Sequence, residues 1–142
     1  MTLQEVLHDY HSAVDDFSRG DPEPVKALCS HRDDVTLANP FGRAVRGWKR
    51  VSEALDFASS RFRDGKVTSF DSLAEYEAAD LATVLEIEHW TAKVSGRDEV
   101  ASFELRVTST FRVEDGSWKL VHRHGDPIAT ESPDGPLRNA GH

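Results

Sequence analysis

The chain has 142 residues, 38% of them hydrophobic and 30% charged, which is typical of one soluble globular domain with its own hydrophobic core. Its net charge of −8 disfavours nucleic acid or an anionic membrane as a partner, because both would be repelled. No run of about 20 apolar residues predicts a membrane span, and the acidic N-terminus does not predict a signal peptide. With Cys29 as the single cysteine, an internal disulfide is excluded and a cytoplasmic protein is expected.

Helical periodicity dominates the first part of the chain. Apolar residues spaced three and four apart predict an amphipathic helix over residues 3–19, with Thr2 and Glu5 as a capping box. Pro22 suits the first position of a short second helix, and a third helix is predicted over residues 48–63. Two short strands, at 35–38 and 45–46, are expected on either side of a turn at 39–42.

The second half of the chain has the pattern of long strands joined by tight turns. Connections of two to four residues are too short for crossover helices, so the sheet is predicted to be an antiparallel meander. Helices followed by strands indicate an α+β fold, with three N-terminal helices packed on one face of a curved sheet. A single domain is expected over residues 1–128, with a flexible tail at 129–142 that is rich in Pro and Gly. The predicted strands span residues 66–78, 81–94, 99–113 and 118–125.

The third of these four strands shows a single apolar face, whereas the second, residues 81–94, is apolar on both. In the second strand, one face carries Leu81, Leu85 and Ile87, and the other carries Val84, Trp90 and Val94. A second copy of the chain would cover the outer face, so we expect a homodimer through the sheet. Glu88 shares the face of Trp90, where it is either an exposed acid or a pocket carboxylate.

The last strand carries the most chemistry. Side chains alternate between faces in a strand, so one face is expected to be apolar at first and ionisable at its end. Two histidines and a carboxylate in that position suggest the polar end of an apolar cavity, and three interpretations of the histidines stay open: an inert hydrogen-bonded pair, a ligand-contacting or proton-transferring role, or a metal site. The metal site would need a further ligand from Glu88, His89 or Asp126, and no motif for a cofactor is present. The expected face consists of Trp118, Leu120, His122, His124 and Asp126.

Several motifs together resemble a known family. They are Gly20-Asp21 between two helices, Val-Thr-Leu-Ala-Asn-Pro-Phe-Gly at 35–42, Arg46-Gly47, and the closing run Glu-Asp-Gly-Ser-Trp-Lys-Leu-Val-His-Arg-His at 114–124. The pattern resembles the nuclear-transport-factor-2-like (NTF2-like) superfamily, specifically its SnoaL-like and ketosteroid-isomerase-like members. That resemblance implies a cone-shaped half-barrel, a deep apolar pocket and usually a dimer. The superfamily includes isomerases, cyclases, dehydratases and non-catalytic assembly hubs, so the fold alone does not identify the function.

The resemblance also suggests roles for individual residues. Ketosteroid isomerases have a catalytic Asp at the position of Asn39, which cannot act as a base, and an oxyanion-donating Tyr about one turn from Tyr10. SnoaL-type cyclases have an acid/base Asp at the position of His124. The closing motif is also similar to the association domain of calmodulin-dependent kinase, which is a hub and not an enzyme.

Two functions follow as hypotheses. In the first, an enzyme acts on a small apolar carbonyl compound: His124 takes a proton, His122 and Glu88 orient it, and Asn39 or Tyr10 donates to the enolate oxygen. In the second, the same pocket belongs to a non-catalytic ligand-binding or dimeric assembly module. A metal-dependent hydrolase is a third hypothesis. The residues expected to contact the ligand are Tyr10, Phe41, Glu88, Trp90, Trp118 and Asp126.

Overall fold

A computed structural model of the protein describes residues 1–127. The predicted tail and its boundary with the domain lie outside the described residues. The elements are α1 (Leu3–Phe17), α2 (Glu23–Leu28), β1 (Thr36–Ala38), β2 (Val45–Arg46), α3 (Trp48–Ser59), β3 (Phe62–Glu77), β4 (Leu81–Val94), β5 (Val100–Glu114) and β6 (Ser117–Pro127).

The six strands form one curved, unclosed sheet in the order β2-β1-β6-β5-β4-β3. Strands β3 to β6 are an antiparallel meander, as predicted. The short β1 pairs in parallel with β6 and antiparallel with β2, which places the 39–42 turn beside the end of β6. The predicted α+β fold, with three N-terminal helices on a curved sheet, is confirmed.

Helix α1 is the main layer against the sheet. The hydroxyl of Thr2 accepts the backbone N–H of Glu5 at 3.2 Å, as the capping pattern predicted. The buried face of α1 repeats with helical spacing and packs into the core with the inner faces of the strands. That buried face consists of Leu3, Val6, Leu7, Tyr10, Ala13 and Val14.

The third helix is shorter than expected. It ends at Ser59, and Phe62, which the periodicity assigned to the helix, begins β3 and pairs with Val94 of β4. The spacing of four residues from Ala58 to Phe62 fits a helix, but pairing with a distant strand overrides such a local preference. Gly65 then brings β3 so close to the end of α1 that an added Cβ would lie 2.2 Å from the carbonyl oxygen of Ser18.

The structure decides which face of β4 lies inside. Alternate residues from Ala82 to Ala92 are buried, including Glu86, Glu88 and Trp90, while Leu85 and Ile87 point away from the helices. On β5 the predicted inner face is buried over Leu105–Phe111. Two carboxylates therefore enter the interior from β4, where each needs a partner.

Candidate functional site

A β-bulge in β6 determines which of its side chains enter the interior. Leu120 pairs with Phe111 and His122 pairs with Thr110, so Val121 is an additional residue without a partner on β5. An extra residue shifts the alternation by one position. From this point onward the odd-numbered residues of β6 face the helices.

The expected placement of the ionisable residues at the end of β6 is wrong for this reason. His124 is exposed and does not line the cavity. His122 is half-buried, and its Nδ1 lies 2.8 Å from the hydroxyl of Thr36. Asp126 pairs with Arg106 on the outer side of the sheet at 2.9 Å.

An apolar cavity of about 270 Å³ lies between the helices and the sheet. This volume is near the lower end of the ~300–1,000 Å³ found for small-molecule sites. Five aromatic side chains form much of its wall, and its residues come from all three helices, the 39–42 turn and strands β1, β3, β4, β5 and β6. The lining residues are Phe17, Val25, Leu37, Asn39, Pro40, Phe41, Leu55, Ala58, Phe62, Trp90, Val94, Phe103, Leu105, Arg123, Gly125 and Pro127.

Only two side chains with strong hydrogen-bonding groups, Arg123 and Asn39, line this cavity apart from the indole of Trp90. The side-chain oxygen of Asn39 accepts the backbone N–H of Phe41 at 3.0 Å, which shapes the turn at the cavity wall. None of the described lining residues is an acid, a histidine, a cysteine, a tyrosine or a lysine. The wall therefore offers hydrogen-bond donors but no side chain that ordinarily acts as a general base.

Arg123 is held by a buried network. Its Nη1 donates to Glu88 Oε2 at 2.8 Å and to the hydroxyl of Tyr10 at 2.6 Å, and its Nη2 donates to Glu88 Oε1 at 2.8 Å. Trp90 Nε1 donates to the same carboxylate at 3.0 Å, and the Tyr10 hydroxyl also lies 2.6 Å from Ser109 Oγ. Because the side chain of Glu88 is 0% exposed and that of Arg123 is 13% exposed, this is a desolvated, bidentate ion pair.

The electrostatics of the network keep Arg123 charged and Tyr10 neutral. Burial lowers the pKa of Arg123, but the charge of Glu88 and the bonds to Glu88 and Tyr10 outweigh it and raise the pKa overall. Burial raises the pKa of Tyr10 to about 12, although the nearby charge of Arg123 opposes the change. Outside the cavity, burial and then the proximity of His124 lower the pKa of His122.

The structure brings some of the predicted site residues together and separates others. Asn39, Phe41 and Trp90 line the cavity, and Glu88 and Tyr10 lie behind its wall in the network of Arg123. Trp118 packs against the core but does not line the cavity, and His122, His124 and Asp126 lie on the other face of β6. The roles proposed for these residues stay predictions; only their placement is described by the structure.

Arg123 is the main residue that sequence reasoning missed. Strict alternation places it outside, because it lies between two histidines assigned to the inner face. The available signal is Leu120-Val121, two adjacent apolar residues that break the alternation of an otherwise regular strand. Such a break is typical of a bulge, and it would have placed Arg123 and Gly125 on the cavity side.

The described residues provide neither a metal site nor a membrane-spanning helix. Over residues 1–127 no three His, Cys, Asp or Glu side chains are grouped so that they could hold a metal ion. None of the helices in that range is both long and apolar enough to cross a membrane.

The family is shown by a match of residues 3–130 to the model of the SnoaL-like domain. The chain belongs to the SnoaL-like family. No curated protein matches the sequence of this SnoaL-like protein.

Solved structures share the fold of the SnoaL-like protein at low sequence identity. An NTF2-like superfamily protein from Salmonella enterica serovar Typhimurium is 19% identical with a TM-score of 0.73, over 92% of this chain and 93% of the other. A ketosteroid isomerase-like protein from Erwinia carotovora atroseptica is 20% identical with a TM-score of 0.74, over 90% and 95%. An NTF2-like family protein from Streptomyces avermitilis is 17% identical with a TM-score of 0.72, over 90% and 95%. These similarities establish an NTF2-like fold and leave the activity to be argued from the site.

Proposed function

We propose that this SnoaL-like protein binds a small, mostly apolar molecule in the cavity between its helices and its sheet. The observation that carries the proposal is an aromatic-walled cavity of about 270 Å³ with one charged side chain, Arg123, in its wall. Apolar walls with a few fixed polar groups are the usual composition of small-molecule sites. The bidentate pair with Glu88 fixes the guanidinium before any ligand arrives, which reduces the entropy lost on binding.

The donors of Arg123 indicate which ligand group it would hold. Three of its five N–H groups are used by Glu88 and Tyr10, while Nε and one hydrogen of Nη2 have no hydrogen-bond acceptor among the described residues. The ion pair of Arg123 and Glu88 is already electrically neutral. A negatively charged ligand group beside it would therefore lose its hydration without gaining an unpaired positive partner. A carbonyl or hydroxyl oxygen on the ligand fits these donors best.

Binding is supported better than proton transfer. The hypothesis of an enzyme with His124 as base needs that imidazole inside the cavity, and it lies on the opposite face of β6. Glu88, the carboxylate behind the cavity wall, uses both oxygens for Arg123 and one of them also for Trp90. With its charge committed to the guanidinium, Glu88 is a positioning group for Arg123.

The test uses Gly125, which lines the cavity on β6. A Cβ at this position would lie 3.6 Å from Val107 Cγ2 and 3.7 Å from Arg123 Nη2, both ordinary contacts, so Gly125→Leu should fill the cavity without forcing the strand apart. His124→Leu, one residue earlier and on the other face, is the matched control. A thermal-shift screen of small ring compounds with one carbonyl or hydroxyl group should be run on the wild type and both variants.

A ligand at a hundred times its Kd adds about 2.7 kcal/mol, which should raise the melting midpoint by several degrees. We expect stabilising compounds to lose their effect in Gly125→Leu and to keep it in His124→Leu. Compounds that still stabilise Gly125→Leu but not His124→Leu would move the site to the outer face of β6 and refute the cavity proposal.

We also propose that two copies associate through the outer face of the sheet. Leu85 and Ile87 lie on that face of β4. Leu81 at the beginning of β4 is 48% exposed, and Tyr76 near the end of the adjoining β3 is 67% exposed. On the same face, the hydroxyls of Thr83 on β4 and Thr110 on β5 lie 3.1 Å apart. An outer face that carries apolar and Thr side chains suits a symmetric contact with a second copy of itself.

The dimer is tested by Leu85→Glu, which places a charge in the centre of this face. The control is Val100→Glu, which alters an exposed apolar residue at the beginning of β5 (57% exposed). Light scattering should give twice the chain mass of 15.8 kDa for the wild type and for Val100→Glu, and a single chain for Leu85→Glu. A dimer that survives Leu85→Glu would show that the interface lies elsewhere.

A further inference from the structure

A second groove, with a volume of about 180 Å³, adjoins the cavity on the other side of the 39–42 turn. Leu37, Asn39 and Phe41 line both spaces. Phe41 packs edge-on against Phe62 of the cavity wall at a centroid distance of 5.6 Å, and against Phe57 of the groove at 6.4 Å. Because these three residues line both spaces, the groove directly adjoins the cavity, and one ligand could extend from the cavity into the groove.

One arginine lines this groove, and two others neighbour residues that line it. Together they are called the arginine rim: Arg43, Arg50 and Arg61. Arg43 is part of the groove wall. Arg50 lies one helical turn before Ala54 on the groove side of α3, and the guanidinium carbon of Arg61 lies 5.8 Å from the ring centroid of Phe57.

The guanidinium groups of the arginine rim are not held in ion pairs. None of its three members forms an ion pair with a described residue, whereas six other arginines do. The Nε of Arg61 is buried and has no acceptor among the described residues. On a chain with a net charge of −8, a local group of arginines without ion pairs is a favourable place for an anion to approach.

The groove also offers apolar contact. Phe57, which forms one side of it, is 53% exposed although it is a large aromatic side chain. An exposed apolar side chain beside free guanidinium groups suits a ligand segment that ends in a negative charge.

We propose that the ligand of the cavity is an anion of a particular kind: its uncharged ring system occupies the cavity, and a carboxylate, sulfonate or phosphate attached to it lies in the groove against the arginine rim. This inference rests on the proposed function. It assigns the two ends of the ligand to different places, because Arg123 is neutralised by Glu88 whereas the arginine rim is not.

A matched pair of fluorescent probes tests this inference. N-phenylnaphthylamine is an uncharged ring compound, and anilinonaphthalene sulfonate is the same ring system with one sulfonate. Their Kd values should be measured on the wild type, on the double variant Arg43→Gln/Arg50→Gln, on Gly125→Leu, and on Arg97→Gln as a control. Arg97 lies in the turn between β4 and β5 and has no ion pair with a described residue.

We expect the sulfonate to bind the wild type more tightly than the uncharged probe does. The double variant should weaken sulfonate binding by roughly three- to tenfold, as expected for two exposed charge pairs, and should leave the uncharged probe unchanged. Raising the salt from about 0.1 M to about 1 M, where the Debye length falls from ~10 Å to ~3 Å, should remove most of the sulfonate's advantage. Arg97→Gln should change neither Kd.

The two proposals fail in different ways. If both probes bind equally, with Gly125→Leu blocking both and the double variant affecting neither, the cavity proposal stands and the arginine rim is refuted. If neither probe binds, or if Gly125→Leu leaves both Kd values unchanged, the cavity proposal fails, and the inference that depends on it fails too.

Discussion

The buried pair of Arg123 and Glu88 makes a strong prediction about stability. Replacing Arg123 with Met keeps most of the side-chain volume but leaves the carboxylate of Glu88, which is 0% exposed, without its bidentate partner. Trp90 Nε1 and Tyr10 would keep their bonds to Glu88 and Ser109. The main change is therefore one uncompensated buried charge.

Such a change should be costly. Removing one partner of a buried ion pair typically destabilises a protein by about 3–5 kcal/mol, out of a total of roughly 5–15 kcal/mol for a domain. Glu88→Gln in the same chain removes the uncompensated charge while keeping an oxygen that can accept from Trp90. The double variant Arg123→Met/Glu88→Gln should therefore be more stable than Arg123→Met alone, by about 1–3 kcal/mol.

Urea unfolding of the wild type, both single variants and the double variant measures this difference as a coupling free energy. The midpoints should shift with little change in the slope, because the surface exposed on unfolding is almost the same. A double variant no more stable than Arg123→Met would refute the reasoning, since the carboxylate would then not be a buried charge that depends on the guanidinium.

Three further predictions follow from burial and packing. Because the pKa of Tyr10 is about 12 in the folded chain against 10.0 as the ordinary value, the stability that it contributes is complete below pH 10 and is lost as the pH rises towards 12; unfolding curves of the wild type and Tyr10→Phe at several alkaline pH values should converge over that range. Cys29 is 5% exposed, and burial raises its pKa to about 12, so a thiol reagent at mildly alkaline pH should label it only after unfolding by urea. Gly65→Ala should destabilise the protein by about 3 kcal/mol, the upper end of the usual cost of overpacking, because its Cβ would overlap the carbonyl oxygen of Ser18. Gly125→Ala meets only ordinary contacts and should be neutral or stabilising by up to about 1 kcal/mol. Thermal unfolding of the two variants compares them directly.

Most of the fold could be predicted from residue patterns. The order of elements, the capped first helix, the meander and the inner face of β5 all depend on signals within a single element, namely apolar spacing, capping residues and turn residues. The incorrect assignment of Phe62 to the third helix shows that such local signals do not account for pairing between distant strands. Its spacing continues the helix, but pairing with Val94 across the sheet places it in a strand.

The candidate site was only half predictable. Asn39, Phe41 and Trp90, which were expected at the site, do line the cavity, but the apolar pattern of β4 left open which of its two faces lies inside. Arg123 was missed because its orientation depends on the bulge at Val121 and on a carboxylate from another strand.

The sequence by itself determined where the helices and strands lie, because periodicity and turn chemistry act over a few neighbouring residues. Only the tertiary structure decided which side chains line the cavity. Because one residue of β6 is unpaired, the histidines face outward and an arginine faces the cavity. Only the sheet brings that arginine to Glu88, 35 residues away along the chain. Which face of a strand is inside is a property of the whole sheet, since a shift of one residue in pairing reverses every side chain that follows.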